Sequence, residues 1–283
     1  MSSLFDFDAA PDIYAVMGNP ISHSKSPLIH AAFAQQTQQR LNYSAIQVDA
    51  GGFEQAVGNF RASGGKGLNI TVPFKQEAWD FVDERSERAT QAGAVNTISF
   101  FDDGRCTGDN TDGVGLVRDL MDNHSVTLAG KRILILGAGG AVRGVLGPML
   151  AQQPSEIIIA NRTEEKAVAL ADEFDRGDQL RGCGFQSIGE LPFDLIINGT
   201  AASLQGDLPP VPATAVNRTT CCYDMMYGKE PTVFMHWASE QGTAKVIDGL
   251  GMLVEQAAES FYIWRGVRPE TGEVIASMKA AIY

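Results

Sequence analysis

A glycine-rich turn between two apolar runs constrains the fold of this chain more than any other feature. Residues 137–143 read GAGGAVR, directly after the apolar run 133–136 and before a second run at 157–160. Strand, glycine turn, helix and strand in this order form the first half of a dinucleotide-binding α/β fold. Glycines let backbone N–H groups approach a pyrophosphate, and the helix that follows directs its positive N-terminus at it. The residues predicted to bind the dinucleotide are Gly137, Ala138, Gly139, Gly140 and Ala141.

The turn departs from the usual G-x-G-x-x-G/A pattern, because Val142 stands where the third small residue belongs. The glycines alone therefore leave an ordinary βα turn as an alternative. The end of the second apolar run favours a nucleotide site. NAD-binding chains usually place Asp or Glu there, about 20 residues after the first glycine, whereas this chain has Asn161, Arg162 and Thr163. A guanidinium pairs with a 2′-phosphate that a carboxylate would repel, so the predicted cofactor is NADP.

Composition limits the classes of partner and compartment. A net charge of -12 argues against nucleic-acid and anionic-membrane partners, and it means that a bound anion needs locally arranged donors. No apolar run approaches the length of a membrane span, and the N-terminus does not read as a signal peptide. The four cysteines show no metal-ligand spacing. We expect a cytoplasmic protein with reduced thiols and no metal.

The periodicity of the chain predicts two α/β domains and two terminal helices. In the first part of the chain, apolar stretches predict strands at 13–17, 43–48, 67–72 and 94–100. Further strands are predicted at 133–136, 157–160, 195–197 and 221–225. We assign residues 1–112 to a first α/β domain and residues 113–248 to a Rossmann-like domain. Residues 249–283 have the apolar spacing of two helices, which we expect to pack back on the first domain.

Short polar segments recur where the predicted strands of the first domain begin or end. They read NPISHSKSP at 19–27, NITVPFK at 69–75, GAVNT at 93–97 and GDNTDG at 108–113. With the glycine turn, NRT at 161–163, YDMMY at 223–227 and GLGML at 249–253, they resemble the shikimate dehydrogenase family. The resemblance runs from about residue 13 to the end of the chain, in the family's order and spacing. It implies an N-terminal substrate domain and a C-terminal NADP-binding domain, with the substrate in the cleft between them.

Ketone reduction needs a proton donor beside the reacting oxygen. Hydride addition leaves an alkoxide, so a donor must lie within hydrogen-bonding reach of it. A partly desolvated lysine gives up its proton more easily than in water, and a neighbouring carboxylate orients the ammonium. The resemblance assigns the acid/base role to Lys75 and places Asp112 beside it, in contact with the substrate. The alternatives are a surface lysine on the first turn of a helix and an aspartate favoured by a helix dipole.

Two serines follow the first predicted strand, where open α/β sheets place ligands. Ser24 and Ser26 can donate to a substrate carboxylate without adding charge. The alternative is that Ser26 caps a helix that starts at Pro27. His23, between the two serines, is interpreted as a solvated loop residue.

The resemblance also implies further site residues. The predicted ligands of the substrate hydroxyls are Asn69, Thr71, Asn96 and Gln256. Asparagine is disfavoured inside strands, so a purely structural role is a less attractive interpretation of Asn69 and Asn96. The resemblance places Tyr227 in the substrate pocket, and Met225 and Gly249 beside the nicotinamide, although Met225 also fits a plain core position.

The function implied is the reversible NADPH-dependent reduction of 3-dehydroshikimate to shikimate, in the pathway to chorismate and the aromatic amino acids. We expect a monomer or homodimer. One alternative is a relative that also accepts quinate and prefers NAD; such relatives tend to carry an acidic residue near position 161 or 162. The other is a non-catalytic ligand sensor on the same fold, in which the lysine–aspartate pair would be broken.

Overall fold

The computed structural model describes residues 10–200, 202 and 206–282, and the chain forms two compact α/β units. The first unit consists of the residues up to Thr90, Ala94–Thr111 and Ala257–Glu270. The second unit consists of Gln91–Gly93, Asp112–Gln256 and Thr271–Tyr283. The predicted α/β class with two domains is confirmed.

The first unit is built on a mixed sheet. Its strands are β1 (Asp12–Gly18), β2 (Leu41–Gln47), β3 (Gly65–Ile70), β4 (Glu84–Arg85), β5 (Thr97–Phe100) and β6 (Cys106–Asp109). Its helices are α1 (Ser26–Gln36), α2 (Phe53–Ala62), α3 (Lys75–Phe81) and α4 (Glu87–Ala92), of which the last two residues belong to the second unit. The strand order is β2-β1-β3-β5-β6-β4. Strands β1, β2 and β3 are parallel, and β5 is antiparallel to β3. The C-terminal ends of β1 and β3 and the N-terminal end of β5 therefore share one edge of the sheet.

A close helix contact covers one region of this sheet. Tyr14 of β1 stacks on Trp264 with a centroid separation of 4.7 Å, and the indole N–H of Trp264 donates to the Ile98 carbonyl at 3.0 Å. A Cβ on Gly67 would lie 2.5 Å from the Trp264 ring nitrogen. Glycine is therefore required in β3 for the tryptophan to lie against the strand.

The second unit contains a fully parallel sheet. Its strands are β7 (Arg132–Leu136), β8 (Glu156–Asn161), β9 (Leu180–Gly184), β10 (Leu195–Asn198), β11 (Cys221–Asp224) and β12 (Lys245–Ile247). Its helices are α5 (Asp112–Arg118), α6 (Gly140–Leu150), α7 (Glu164–Asp172) and α8 (Val233–Glu240), and a π-helical turn (Asp119–Asn123) follows α5. The strand order is β12-β11-β10-β7-β8-β9. Alternate residues of β7 enter two different apolar clusters, so both faces of the sheet are covered, as its continuous apolar runs predict.

The C-terminal tail forms the two helices predicted from its periodicity, α9 (Leu250–Arg265) and α10 (Gly272–Ile282). The prediction placed all of 249–283 on the first domain, but the structure groups only Ala257–Glu270 with the first unit. The Thr271 hydroxyl donates to the Glu255 carboxylate at 2.6 Å, which connects the start of α10 to a residue of the second unit. The prediction therefore needs correction for α10 and for residues 249–256, which belong to the second unit.

Several strand limits differ from the predicted ones. β3 ends at Ile70 and β5 begins at Thr97, so the segments predicted at 67–72 and 94–100 are shorter as strands. The short strands β4, β6, β9 and β12 and the helix α8 were not predicted. β9 reads LRGCG, and a Cβ on its Gly182 would lie 2.2 Å from the backbone of Ala167 in α7. The close contact with α7 requires glycine at position 182. Because glycine is not typical of strands, β9 lacks the sequence pattern by which a strand is predicted.

Candidate active site

The predicted substrate residues of the first unit gather at one sheet edge. Because β1 and β3 are parallel neighbours, the loops that follow them emerge together. The Asn19 N–H donates to the Val72 carbonyl at 3.0 Å, and a Cβ on Gly18 would lie 2.4 Å from the Thr71 methyl group. The Val95 N–H donates to the Lys75 carbonyl at 2.9 Å, which adds the segment before β5.

The two serines of the first loop are not equivalent. The Ser24 Oγ, which is half-buried, accepts a bond from the Ser26 N–H at 3.3 Å, whereas Ser26 is buried. Helix α1 begins at Ser26, its N-cap residue is Lys25, and no side chain caps it. The helix-cap alternative for Ser26 is therefore wrong. Ser26 instead lies near the Tyr43 phenol, where it opposes part of the rise that burial causes in the pKa of that hydroxyl.

Lys75 is the first residue of α3 and is half-buried. The N-terminal end of a helix carries partial positive charge, so a cation there is unfavourable and local structure does not account for the lysine. Asp112 is the first residue of α5, where a carboxylate is favourable. The alternative that Asp112 is present only because a helix dipole favours it therefore remains open. Lys75 belongs to the first unit and Asp112 to the second, and their pairing stays a prediction.

Asn69 is buried in β3 and is held by four side-chain bonds. Its Nδ2 donates to the Asn96 carbonyl at 3.2 Å, to Thr97 Oγ1 at 3.2 Å and to Ser260 Oγ at 3.0 Å. Its Oδ1 accepts from the Tyr43 hydroxyl at 2.7 Å. Because a backbone carbonyl can only accept, this pattern fixes which end of the amide is the oxygen. Asn69 thus has a structural role, and any contact with substrate is additional to it.

Asn96 lies just before β5, so the argument that it interrupts a strand is wrong for this residue. Its Oδ1 accepts from the Thr111 N–H at 3.0 Å and from Thr97 Oγ1 at 2.8 Å. Its Nδ2 donates to Thr111 Oγ1 at 2.9 Å. The Ser260 hydroxyl lies 2.8 Å from Thr97 Oγ1 and 3.3 Å from Thr111 Oγ1. Asn96 and Asn69 therefore belong to one buried polar network.

The sequence analysis missed three residues of this region: His30, Tyr43 and Ser260. His30 is completely buried among aromatic rings, and burial lowers the pKa of its imidazole to about 3. Asn69 is near enough to offset part of that shift, but neither ring nitrogen has a partner in hydrogen-bonding geometry within the described part of the chain. Ser260 could have been found as a polar residue on the apolar face of α9, four positions before Trp264.

The glycine turn of the second unit has the shape that a dinucleotide requires. Gly137 has φ of +103°, a conformation that side chains rarely adopt. A Cβ on Gly139 or Gly140 would meet no atom within 4 Å, so the described chain leaves open the space in front of α6. Gly139 and Gly140 therefore have no internal steric reason to be glycine, and close approach of a pyrophosphate remains the predicted reason. The turn fits the predicted cofactor.

Val142 is larger than the residue that the usual pattern has at this position, and a glycine that follows a neighbouring strand compensates for its size. The valine is fully buried, and a Cβ on Gly199, just after β10, would lie 2.5 Å from its side chain. In the usual pattern the third small residue allows close helix–strand packing. Here the small residue is on the strand side of the same contact. The departure therefore leaves the turn intact.

The end of β8 presents cationic groups to solvent. The Asn161 amide donates to the Thr163 carbonyl at 2.8 Å, which fixes the turn, and Arg162 is exposed. Thr163 is the N-cap residue of α7, but its side chain makes no capping bond. Lys166 is exposed on the first turn of α7 and adds a second cation that the sequence analysis missed. The arrangement suits a phosphate monoester, although Glu164 and Glu165 also lie in this turn.

Of the four other predicted residues of the second unit, three have local partners and the fourth, Tyr227, is half-buried. A Cβ on Gly249 would lie 2.2 Å from the Met225 carbonyl oxygen, so these two residues are in contact. Tyr227 is half-buried, and burial raises the pKa of its hydroxyl, which keeps it neutral. The Gln256 Nε2 donates to the Leu253 carbonyl at 2.8 Å within α9. The helix itself thus supplies a hydrogen-bond acceptor for the Gln256 side chain.

Comparison with known proteins identifies the family. The chain is 56% identical, over 271 residues, to a protein of Marinobacter nauticus named shikimate dehydrogenase (NADP(+)). That alignment covers 95% of this chain and 98% of the relative. The chain belongs to the shikimate dehydrogenase family. The family resemblance predicted from the sequence is therefore confirmed.

Family models and solved structures agree with this assignment. The shikimate dehydrogenase substrate binding domain matches residues 16–98, shikimate / quinate 5-dehydrogenase matches 119–205, and the shikimate 5'-dehydrogenase C-terminal domain matches 249–279. The structure of an Ael1 enzyme from Pseudomonas putida is 50% identical with a TM-score of 0.90, covering 94% of this chain and 97% of that one.

A second solved structure contains ligands. Shikimate 5-dehydrogenase from Thermus thermophilus, in complex with NADP(H) and shikimate, is 31% identical with a TM-score of 0.85. The comparison covers 96% of this chain and all (100%) of that one. Within the described residues, no helix of this chain is long and apolar enough to cross a membrane.

Proposed function

We propose that this protein catalyses the reversible NADPH-dependent reduction of 3-dehydroshikimate to shikimate. The observation that carries the proposal is the sheet edge of the first unit, where the loops that contain Ser24, Ser26, Thr71 and Lys75 emerge side by side. Neutral donors suit a small polyhydroxylated acid, and one cation suits a proton transfer. The names of the relatives support the same reaction.

We assign the cofactor to the second unit. The backbone of Gly139 and Gly140 would contact the pyrophosphate, and Arg162 would pair with the 2′-phosphate while Asn161 and Thr163 shape the turn. Met225 and Gly249 would lie beside the nicotinamide. When it is bound, NADPH supplies the hydride that the ketone carbon receives.

The side chains of the first unit would bind the substrate and move the proton. Lys75 Nζ gives its proton to the former ketone oxygen, so that the product is a neutral hydroxyl, and it takes that proton back in the reverse reaction. Ser24 and Ser26 hold the carboxylate, which the net charge of -12 would otherwise repel. We assign hydroxyl contacts to Asn69, Thr71, Asn96, Gln256 and Tyr227. Asp112 would contact the substrate and assist the proton transfer.

We also propose that the protein acts in the cytoplasm as a monomer or homodimer. Sedimentation velocity at enzyme concentrations used in assays would decide between the two states. Catalysis by a dimer would require no change in the assignments above.

Initial rates with shikimate and with quinate, each with NADP and with NAD, test the proposed function. We expect the highest kcat/KM for shikimate with NADP, because the end of β8 has Asn161 and Arg162 rather than a carboxylate. Equal or higher kcat/KM for quinate with NAD would support the quinate-oxidising alternative. No rate with any pair, despite measurable shikimate binding, would support the ligand sensor and overturn the proposal.

A further inference from the structure

Tyr43 connects two of the residues assigned to the substrate. Its hydroxyl donates to Asn69 Oδ1 at 2.7 Å, and the Ser26 hydroxyl lies near enough to the phenol to oppose part of the rise in its pKa. Ser26 is assigned to the carboxylate and Asn69 to a ring hydroxyl. One phenol group therefore links residues that follow, or lie in, different strands of the first unit.

The direction of these bonds follows from the Asn69 amide. Because its Nδ2 faces the Asn96 carbonyl, its Oδ1 faces Tyr43 and can only accept. Burial raises the pKa of the Tyr43 hydroxyl well above its usual value, so the phenol keeps its proton. That proton is directed to Asn69, and the phenol oxygen keeps a lone pair that can accept from Ser26.

The ring of Tyr43 is fixed by His30. The two rings stack with a centroid separation of 4.1 Å and an interplanar angle of 5°. His30 lies one turn after Ser26 on α1, is completely buried, and has no hydrogen-bond partner at either ring nitrogen among the residues described. It therefore serves as a flat neutral surface that prevents rotation of the phenol away from Ser26.

We propose that Tyr43 is a positioning residue for the substrate, which holds Ser26 and Asn69 in their binding orientations before the substrate arrives. The inference rests on the proposed function and extends it to a residue that need not touch the substrate. Ordering two side chains in advance lowers the entropy that binding must overcome. Without the phenol hydroxyl, Ser26 loses this acceptor and Asn69 Oδ1 lacks its donor.

Tyr43→Phe tests this inference, because it keeps the stacked ring and removes only the hydroxyl. A neutral hydrogen bond is worth about 0.5–1.5 kcal/mol, so we expect the KM for shikimate to rise by about 2- to 12-fold. The KM for NADP and kcat should stay within about twofold, because the hydroxyl lies in the first unit and its bond is to Asn69, which is assigned neither to the proton transfer nor to the cofactor. Steady-state kinetics and direct shikimate binding by calorimetry measure the effects.

Tyr14→Phe is the matched control. Tyr14 is also a tyrosine of the first unit with a stacked ring, on Trp264, and its hydroxyl lies 3.4 Å from Arg265 instead of a predicted ligand. It should lower the melting temperature about as much as Tyr43→Phe and leave the KM for shikimate unchanged. Equal KM changes in the two variants would show a general effect of packing and overturn the inference.

A double-mutant cycle with Ser26→Ala distinguishes positioning from a separate contact. If Tyr43 acts through Ser26, the KM increase caused by Tyr43→Phe should shrink at least twofold in the Ser26→Ala background. Full additivity, or an unchanged KM in Tyr43→Phe, would overturn the inference while leaving the proposed function intact. No rate and no shikimate binding by the parent protein would overturn both.

Discussion

The two units place their polar groups in different ways. The second unit buries apolar residues on both faces of a parallel sheet and forms its predicted cofactor site from backbone turns at strand ends. The first unit buries hydroxyl and amide groups, among them Asn69, Asn96 and Ser260, beneath the predicted substrate edge. A binding site formed by the backbone of a turn can be predicted from a short stretch of sequence. A site formed by hydrogen-bonded side chains cannot, because its residues are distant from one another in the chain.

The two units also differ in the sequence separation of the residues that their hydrogen bonds join. The bond between Asn69 and Ser260 joins residues 191 positions apart, while the Asn161 bond that shapes the nucleotide turn spans two positions. A motif can contain both ends of the second bond but not of the first. Mutations in the two units should therefore differ in which quantity they change.

The largest expected effect tests whether the first unit contains the acid/base group. Lys75→Ala should lower kcat by about 10²–10⁴-fold, the usual contribution of a positioned proton donor. The KM for shikimate should change less, since neutral side chains provide most of the assigned contacts. Stopped-flow measurement of NADPH oxidation gives the rate. Lys66→Ala is a suitable control, because Lys66 is a surface lysine of the same unit paired with Asp102. Activity of Lys75→Ala within a few-fold of the parent would remove it from the mechanism.

The next test concerns the second unit alone. Arg162→Ala should raise the KM for NADPH and leave that for NADH nearly unchanged, because only NADPH has a 2′-phosphate. A charge-assisted bond is worth about 1.5–3 kcal/mol, which corresponds to roughly ten- to more than a hundredfold. Arg176→Ala, at an exposed arginine beyond α7, serves as the control. Equal losses with the two cofactors would contradict the assignment.

A pH experiment tests the polar interior of the first unit. The folded-state pKa of His30 is about 3, below its usual 6.5, so the unfolded chain binds its proton first. The stability that neutral His30 provides is complete above pH 6.5 and is lost as the pH falls toward 3. Between pH 7 and pH 5 the free energy of unfolding should fall by about 2 kcal/mol from this group.

The matched variant for that experiment is His30→Phe, which keeps an aromatic ring against Tyr43 and cannot titrate. Its free energy of unfolding should decline less than the parent's between pH 7 and pH 5, while groups common to both proteins cancel in the difference. Urea titrations followed by circular dichroism supply the values. Identical pH slopes for the two proteins would show that His30 contributes nothing.

The smallest effect contrasts two glycines of the second unit. A Cβ on Gly139 meets open space, and its φ of -93° suits alanine. Glycine is preferred to alanine at the N-cap position that Gly139 occupies, so the two effects oppose each other and Gly139→Ala should change the free energy of unfolding by no more than about 1 kcal/mol. The added methyl would nevertheless occupy the space assigned to the pyrophosphate and raise the KM for NADPH. Gly249→Ala should destabilise the fold instead, since its methyl would collide with Met225. Thermal melts and NADPH titrations separate the outcomes; unchanged NADPH binding in Gly139→Ala would contradict the site.

The sequence predicted the second unit well where structure depends on neighbours in the chain. The runs at 133–136 and 157–160 form strands as predicted, because parallel buried strands need continuous apolar residues. β9 escaped prediction because helix contact requires its glycine. The role of Val142 could not be judged from the motif, since the compensating Gly199 follows another strand.

In the first unit the sequence predicted residue types but not their partners. Ser24, Ser26 and Lys75 were found through their place after predicted strands, and the structure puts them at one edge. The structural bonds of Asn69 and Asn96 could not be predicted, because their partners come from other elements. Tyr43 looked like any aromatic residue of a strand; its function depends on a hydroxyl whose contacts arise only from the fold.

One feature of the first unit, its division along the chain, bears on how the protein is made. The residues Ala257–Glu270, which bring Ser260 and Trp264 to the sheet, are synthesised after every strand of the second unit. At about 5–20 residues per second, a ribosome would need on the order of ten seconds or more to go from residue 111 to residue 270. During that interval the nascent first unit exposes the face around Tyr14 and an incomplete set of polar partners for Asn69. The part of the chain that leaves the ribosome first must therefore wait for residues 257–270 before its core is complete, and a fragment ending at residue 111 would lack that segment.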